Sequence, residues 1–280
     1  MAAYAYRIVN VFTSGRAALS GNPLCVFEKA QAFDTPRMQA LALQFNLSET
    51  TFILPSDRAT ARVRVFTPAY EMPFAGHPTL GTAHVCRALG LAGDRLTLEM
   101  QAGIIPVRAD GDRWTLTAHT PTWREVAEPR LTLAAMLGLE EQDIGERPLW
   151  VNAGSEQLIV PLTSEAAVRH VRVRMELLAQ FASVSGRSMA YVFAPVGAGL
   201  LARFFFPKGS SVLEDPATGS AAANLGGWCV AMGRQLPCEL EISQGEYTGR
   251  SAALRLRVDA ERQVHVSGEV IELGRGTVNL

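Results

Sequence analysis

Residues 71–90, EMPFAGHPTLGTAHVCRALG, lie without gaps over residues 214–233, EDPATGSAAANLGGWCVAMG, an offset of 143 (214 − 71). Glu71/Glu214, Pro73/Pro216, Gly76/Gly219, Cys86/Cys229, Ala88/Ala231 and Gly90/Gly233 coincide. Those six identities in twenty compare with about one or two for unrelated segments of ordinary composition. The pattern continues upstream. A strand-like run ending at Pro55 answers one ending at Pro195, and RVRVFTP (62–68) answers LARFFFP (201–207). Small residues on two buried helices would explain the shared Gly and Ala, but not the Glu-x-Pro-x-x-Gly entry common to both. The chain reads as a duplicated fold of about 140 residues per half, each half running strand, strand, turn, buried helix, more strands.

The local patterns agree. Alternating runs such as Tyr4–Thr13, Ala61–Phe66, Trp114–Ala118, Leu201–Phe206 and Ala253–Val258 predict strands separated by turn residues. Thr35 is placed to cap a helix with Pro36 in its first turn, ending near Phe45. Residues His77–Leu89 and Thr218–Met232 are apolar nearly all round, which predicts helices buried inside a sheet. Shorter helices are expected over Thr132–Leu137 and Met175–Ala182. No regular βα alternation is present, so the class is α+β rather than a Rossmann sheet. The expected division is a first lobe over residues 1–118, to which a final strand near 270–280 returns, and a second lobe over 119–269.

Composition narrows the chemistry. The 280 residues carry 26 Lys+Arg against 27 Asp+Glu, a net charge of −1 without a basic block, which argues against a nucleic-acid partner. No apolar run reaches the roughly 18 residues of a membrane span, and the first residues lack the charged and apolar regions of a signal peptide, so a cytoplasmic protein is expected. Cys25, Cys86, Cys229 and Cys238 form no CxxC pair and are expected as free thiols. The five histidines show no HExxH spacing, and neither a GxGxxG after a strand nor a phosphate-binding P-loop occurs. No metal and no cofactor is expected, so chemistry falls to side chains and backbone.

The helix starts are the places to look for it. Gly76-His77-Pro78 and Asp215-Pro216-Ala217-Thr218-Gly219-Ser220 stand where two buried helices should present unpaired N–H groups and the positive end of the dipole. Facing across a cleft, two such termini would hold one or two carboxylates. Glu49, in Asn46-Leu47-Ser48-Glu49-Thr50, precedes a buried strand, a setting that desolvates a carboxylate and suits it to proton transfer. The second half offers no acid at the matching place near Arg187-Ser188-Met189, which singles Glu49 out.

Taken together, Ser20-Gly21-Asn22-Pro23, Asn46 to Thr50, Phe66-Thr67-Pro68, Ala75 to Ala83 and Glu214 to Ala222 resemble the PhzF-like (phenazine-biosynthesis-like) family. The resemblance runs in order from residue 6 to the end, including Gln244-Gly245, Gly249-Arg250 and Gly276-Thr277. It implies a two-lobed diaminopimelate epimerase-like fold, each lobe a mostly antiparallel sheet wrapped around a central helix. It also implies a cofactor-independent isomerase acting on a small carboxylate-bearing substrate, and a possible homodimer. By the same resemblance Glu49 is the proton-shuttling acid/base, while His77 and Asp215 contact or orient the substrate. Gly76, Gly219 and Ser220 would supply donors for its carboxylate.

Plainer roles stand beside these. His77 would also serve as a helix cap, Asp215 as an N-cap or turn residue, Ser220 as packing and Asn22 as a turn residue. Two other functions remain open: a two-thiol racemase or epimerase on the same fold, and a non-catalytic binder of small carboxylates. The racemase would need cysteines at the helix starts, whereas Cys86 and Cys229 lie about ten residues further on, where a free thiol usually packs as a small apolar group.

Overall fold

A computed structural model describes residues 2–15 and 17–280. The chain divides into two compact units: residues up to Thr117 together with Ser267–Leu280, and Ala118–Val266.

In the first unit, β1 (Ala3–Val11) pairs antiparallel with β2 (Asn22–Phe27) on one side and with residues 270–279 on the other. After α1 (Thr35–Phe45) the chain returns in β3 (Glu49–Leu54), parallel to β2, and folds back as β4 (Ala61–Phe66) and the short β5 (Glu71–Met72). Then come α2 (Gly76–Ala88), β6 (Arg95–Met100), β7 (Gly103–Asp110) and β8 (Arg113–Thr117). The sheet buries α2, which packs against β1, β2, β3 and β8. Ten of its thirteen residues are buried, as the unbroken apolar pattern predicts. Gly81 shows how closely it sits, for a Cβ there would lie 2.7 Å from Leu24 Cδ2 and 2.9 Å from Val11 Cγ2.

The other face of this sheet carries a second core under α1, where Phe27, Phe33, Phe52 and Phe66 join Cys25, Met38 and Ala42. Phe27 and Phe52 stack at 5.0 Å, and Phe66 meets Phe52 edge-on. Burying each such ring contributes about 1.5–3 kcal/mol. The start of α1 differs from the sequence expectation: Asp34, not Thr35, is the N-cap, its carboxylate accepting from the Arg37 N–H at 2.9 Å. The Thr35 hydroxyl instead accepts from Arg64.

The second unit repeats the plan. Its strands are β9 (Thr122–Glu125), β10 (Leu149–Asn152), β11 (Glu156–Pro161), a small hairpin β12 (Ser183–Val184) and β13 (Arg187–Ser188), then β14 (Ala190–Val196), β15 (Gly199–Lys208) and β16 (Ser211–Asp215). They are followed by α6 (Gly219–Ala231), β17 (Cys238–Gln244), β18 (Ala252–Val258) and β19 (Val264–Asn279), the last running on into the first unit. Helix α6 packs against β9, β10, β11 and β18. Three further helices, α3 (Arg130–Leu137), α4 (Glu165–His170) and α5 (Met175–Phe181), cover the outer face. Helix α4 was not expected, although Ser164 caps it by accepting from the Ala167 N–H.

Strand pairing makes the repeat residue-exact. Phe66 stands opposite Thr50 and Glu71 in the first unit, as Phe205 stands opposite Ala190 and Glu214 in the second. The shared Glu acquires a reason. Glu71 pairs with Arg64, and Glu214 with Arg203 at 2.7 Å, each arginine also lying over Phe66 or Phe205. Both pairs are largely buried, so each glutamate fixes the strand that leads into its central helix.

Candidate active site

Glu49 opens β3 beside Leu24 of β2, and only 15% of its side chain is exposed. His77, the second residue of α2, is buried on the same side. Its Nε2 lies 3.3 Å from Glu49 Oε2 without a hydrogen bond from the ring at that atom, while the ring donates to the Pro23 carbonyl. The donor is therefore Nδ1, and the lone pair of Nε2 faces the carboxyl group. Burial pushes the imidazole down to about 3, the Pro23 carbonyl opposing only part of that shift. At neutral pH the ring is uncharged, so its approach to Glu49 is a polar contact rather than an ion pair. His77 does not cap its helix; Ala75 is the N-cap and makes no side-chain hydrogen bond. The buried Gly76 N–H and its neighbours thus begin α2 without a side-chain cap.

In the second unit the corresponding turn is built from side chains. Asp215 ends β16 and accepts from the Thr218 hydroxyl at 2.5 Å. Gln244 braces the turn: its Nε2 donates to the Asp215 carbonyl at 2.9 Å and to Thr218 Oγ1 at 3.0 Å, and its Oε1 accepts from the Thr218 N–H. Gly245 follows with φ +81°, and a Cβ there would meet the Pro216 and Arg250 carbonyl oxygens at 2.4 Å each. The neighbouring motif Gln244-Gly245 exists to hold residues 215–218. The N-cap of α6 is Thr218 rather than Asp215, and its side chain turns away to Asp215 and Gln244, leaving the helix start uncapped. Gly219 is buried and Ser220 partly so, its Oγ accepting from Gln157 Nε2 at 3.0 Å.

Each unit therefore gathers three of the six expected residues: Glu49, Gly76 and His77 in the first, Asp215, Gly219 and Ser220 in the second. Sequence reasoning missed Gln157 and Asn224, the latter a polar residue inside an otherwise apolar run, and quoted Gln244 only as part of a motif without its bracing role. The buried polarity itself was the available signal.

The cysteines stand elsewhere. Cys86 and Cys229 lie near the far ends of α2 and α6, both buried, and burial pushes each thiol up to about 12. Cys25 is shifted upward by the same cause. Among the described residues, no group of three His, Cys, Asp or Glu side chains is placed to hold a metal, and no helix is long and apolar enough to cross a membrane.

The ordered motifs and this geometry lead to one family, described as phenazine biosynthesis-like protein, which matches residues 9–276. The chain belongs to that family. An uncharacterized isomerase of Pasteurella multocida is 37% identical over 276 residues, covering 98% of this chain and 93% of that protein. The trans-2,3-dihydro-3-hydroxyanthranilate isomerase of Pseudomonas chlororaphis is 35% identical over 289 residues, covering 98% and 99%. Among solved structures, the phenazine biosynthesis protein of the PhzF family from Bacillus anthracis superposes with a TM-score of 0.86 over the whole of both chains, at 23% identity, which establishes the shared fold. The phenazine biosynthesis-like chain is accordingly an enzyme of the isomerase class.

Proposed function

We propose that this isomerase shifts a proton between carbons of a small, carboxylate-bearing cyclic substrate, with Glu49 as the group that carries it. The observation that supports this reading is the Glu49–His77 arrangement. A carboxylate that removes a proton from carbon becomes a carboxylic acid, and His77 Nε2 presents a bare lone pair 3.3 Å from Glu49 Oε2. That lone pair welcomes the acid form and holds the carboxyl group in one orientation until the proton is delivered. The uncapped helix start at Gly76 in the first unit, and that at Gly219 with the Ser220 hydroxyl in the second, are each suited to bind a substrate carboxylate. Asp215, steadied by Thr218 and Gln244, would contact the substrate's polar substituents. Charge accumulating on the substrate as the proton leaves is stabilised by the same donors.

The relatives named for trans-2,3-dihydro-3-hydroxyanthranilate suggest the first compound to try, alongside other small cyclic unsaturated carboxylates. Proton NMR in deuterated water would follow each one with the purified protein. Loss of a carbon-bound proton signal, with deuterium appearing at another carbon, supports the reading. Binding of such carboxylates without any isomerisation or exchange would favour a non-catalytic carrier instead.

A further inference from the structure

The two units share their strand register around the central helix, yet they differ at one buried spot beside the helix start. Strand pairing sets Cys25 against Thr50 and Leu158 against Ala190, so Leu24 of the first unit corresponds to Gln157 of the second. The 143-residue offset makes Gly81 correspond to Asn224. In the first unit these positions meet as apolar packing, Gly81 against Leu24. In the second they meet as a hydrogen bond between two amides, with Gln157 2% and Asn224 0% exposed.

The direction of every bond in this cluster is fixed by the backbone. The Ala153 N–H can only donate, so the Asn224 atom it meets at 2.7 Å is Oδ1. Asn224 Nδ2 then donates to the Ser155 carbonyl at 2.8 Å, which can only accept, and to Gln157 Oε1 at 2.8 Å. That leaves Gln157 Nε2 pointing at Ser220 Oγ, 3.0 Å away. Neither amide can flip without setting N–H against N–H, or C=O against C=O. Ser220 is thus held as an acceptor on its inner side. Its own proton has no acceptor among the described residues and is left for something outside them.

We infer that Gln157, locked by Asn224, is a positioning residue that turns the Ser220 proton outward, so that the group bound there accepts it: an ionised carboxylate or an enolate oxygen in preference to an amide N–H. This rests on the carboxylate-binding role given to Ser220 above and adds the cause of its selectivity. The relay belongs to the second unit alone, because Leu24 and Gly81 cannot form it in the first.

Two measurements test it, one with no ligand. Neutron diffraction of the deuterated, ligand-free protein should show deuterium on Gln157 Nε2 directed at Ser220 Oγ, with the serine deuterium directed away. A serine deuterium directed at Gln157 overturns the relay, whether or not any carboxylate binds. The second measurement titrates 3-hydroxyanthranilate, which carries the carboxylate but has no sp3 C–H to lose. Gln157→Leu should raise its Kd roughly threefold to tenfold, the worth of one well-placed hydrogen bond. Gln157→Glu, which can only accept and would claim the serine proton, should raise it further. In a Ser220→Ala background Gln157→Leu should change Kd by less than about twofold, because the effect passes through the serine. An equal loss in both backgrounds marks Gln157 as merely structural and overturns the inference. Wild-type protein that ignores the carboxylate defeats the functional reading instead, and the neutron result still decides the relay.

Discussion

His77 Nε2 faces Glu49 Oε2 at 3.3 Å while the other ring nitrogen donates to the Pro23 carbonyl, so a neutral imidazole offers its lone pair to a mostly buried carboxyl group. The histidine is tied on one side by a backbone acceptor and leaves its acceptor atom toward Glu49 on the other. With the ring neutral, this is a polar contact and not an ion pair.

Replacing Glu49 by Gln keeps the shape of the side chain and removes the group that titrates. On the proposed mechanism, kcat should fall by about 10²–10⁴-fold, the usual worth of a general acid/base, while the Kd for a carboxylate ligand changes little. Turnover in deuterated water, measured beside calorimetric binding, checks both. A Gln variant that isomerises at the wild-type rate removes Glu49 from the mechanism.

The same burial predicts a pH signature for His77. Its folded value, about 3, lies below the ordinary 6.5, so between these limits the unfolded chain binds the proton that the folded one refuses. The stability tied to the neutral ring is complete above about pH 6.5 and is lost progressively as pH falls toward 3. Urea midpoints measured from pH 7 to 4 should decline less steeply for His77→Gln than for the wild type. The Glu49 carboxyl faces this ring at 3.3 Å, so the comparison should be repeated in a Glu49→Gln background. Identical slopes in both pairs would mean that the imidazole is not buried neutral.

The thiols are expected to be structural. Cys86→Ala and Cys229→Ala should each lower stability by roughly 1 kcal/mol or more, through lost packing, and leave the turnover of folded protein nearly intact. With both thiols pushed up to about 12, iodoacetamide should modify them only as the protein opens. Rapid alkylation that stops turnover while the fold persists would instead point to a cysteine mechanism.

Gly245 tests the brace behind Asp215. A side chain there must relieve contacts with the Pro216 and Arg250 carbonyls and tolerate φ +81°, which costs on the order of 1–3 kcal/mol. Gly245→Ala should lower both thermal stability and turnover, because the backbone that must move carries Asp215 to Thr218. Gly93→Ala, with open space around its Cβ, is the control and should leave both unchanged.

The fold was readable where the sequence repeats and where hydrophobicity is continuous. The offset between Glu71 and Glu214 located both central helices to within a residue, because burial on all sides leaves a pattern with no polar face. It could not say why the glutamates recur, since the arginines that hold them sit on preceding strands and match only after a different spacing. The strand Gly103–Asp110 was missed because Pro106 interrupts its pattern, and the cap that Asp34 supplies was assigned to Thr35 because both residues satisfy the same local rule. Of the candidate site, Glu49, Gly76, His77, Asp215, Gly219 and Ser220 came from ordered motifs. The amides of Gln157 and Asn224 did not, for their meaning depends on a partner 67 residues away.

The second unit is an insertion in the chain of the first, which leaves at Thr117 and resumes at Ser267. On the ribosome, Ala118–Val266 is therefore complete while the first unit still lacks its last strand. Until residues 270–279 emerge, β1 displays a row of unpaired peptide groups along Ala3–Val11, the kind of edge that recruits strands from other chains. The unit whose strands emerge earlier is thus the later one to be finished. A nascent chain stalled before residue 270 would hold a finished second unit and a first unit with an open β1 edge.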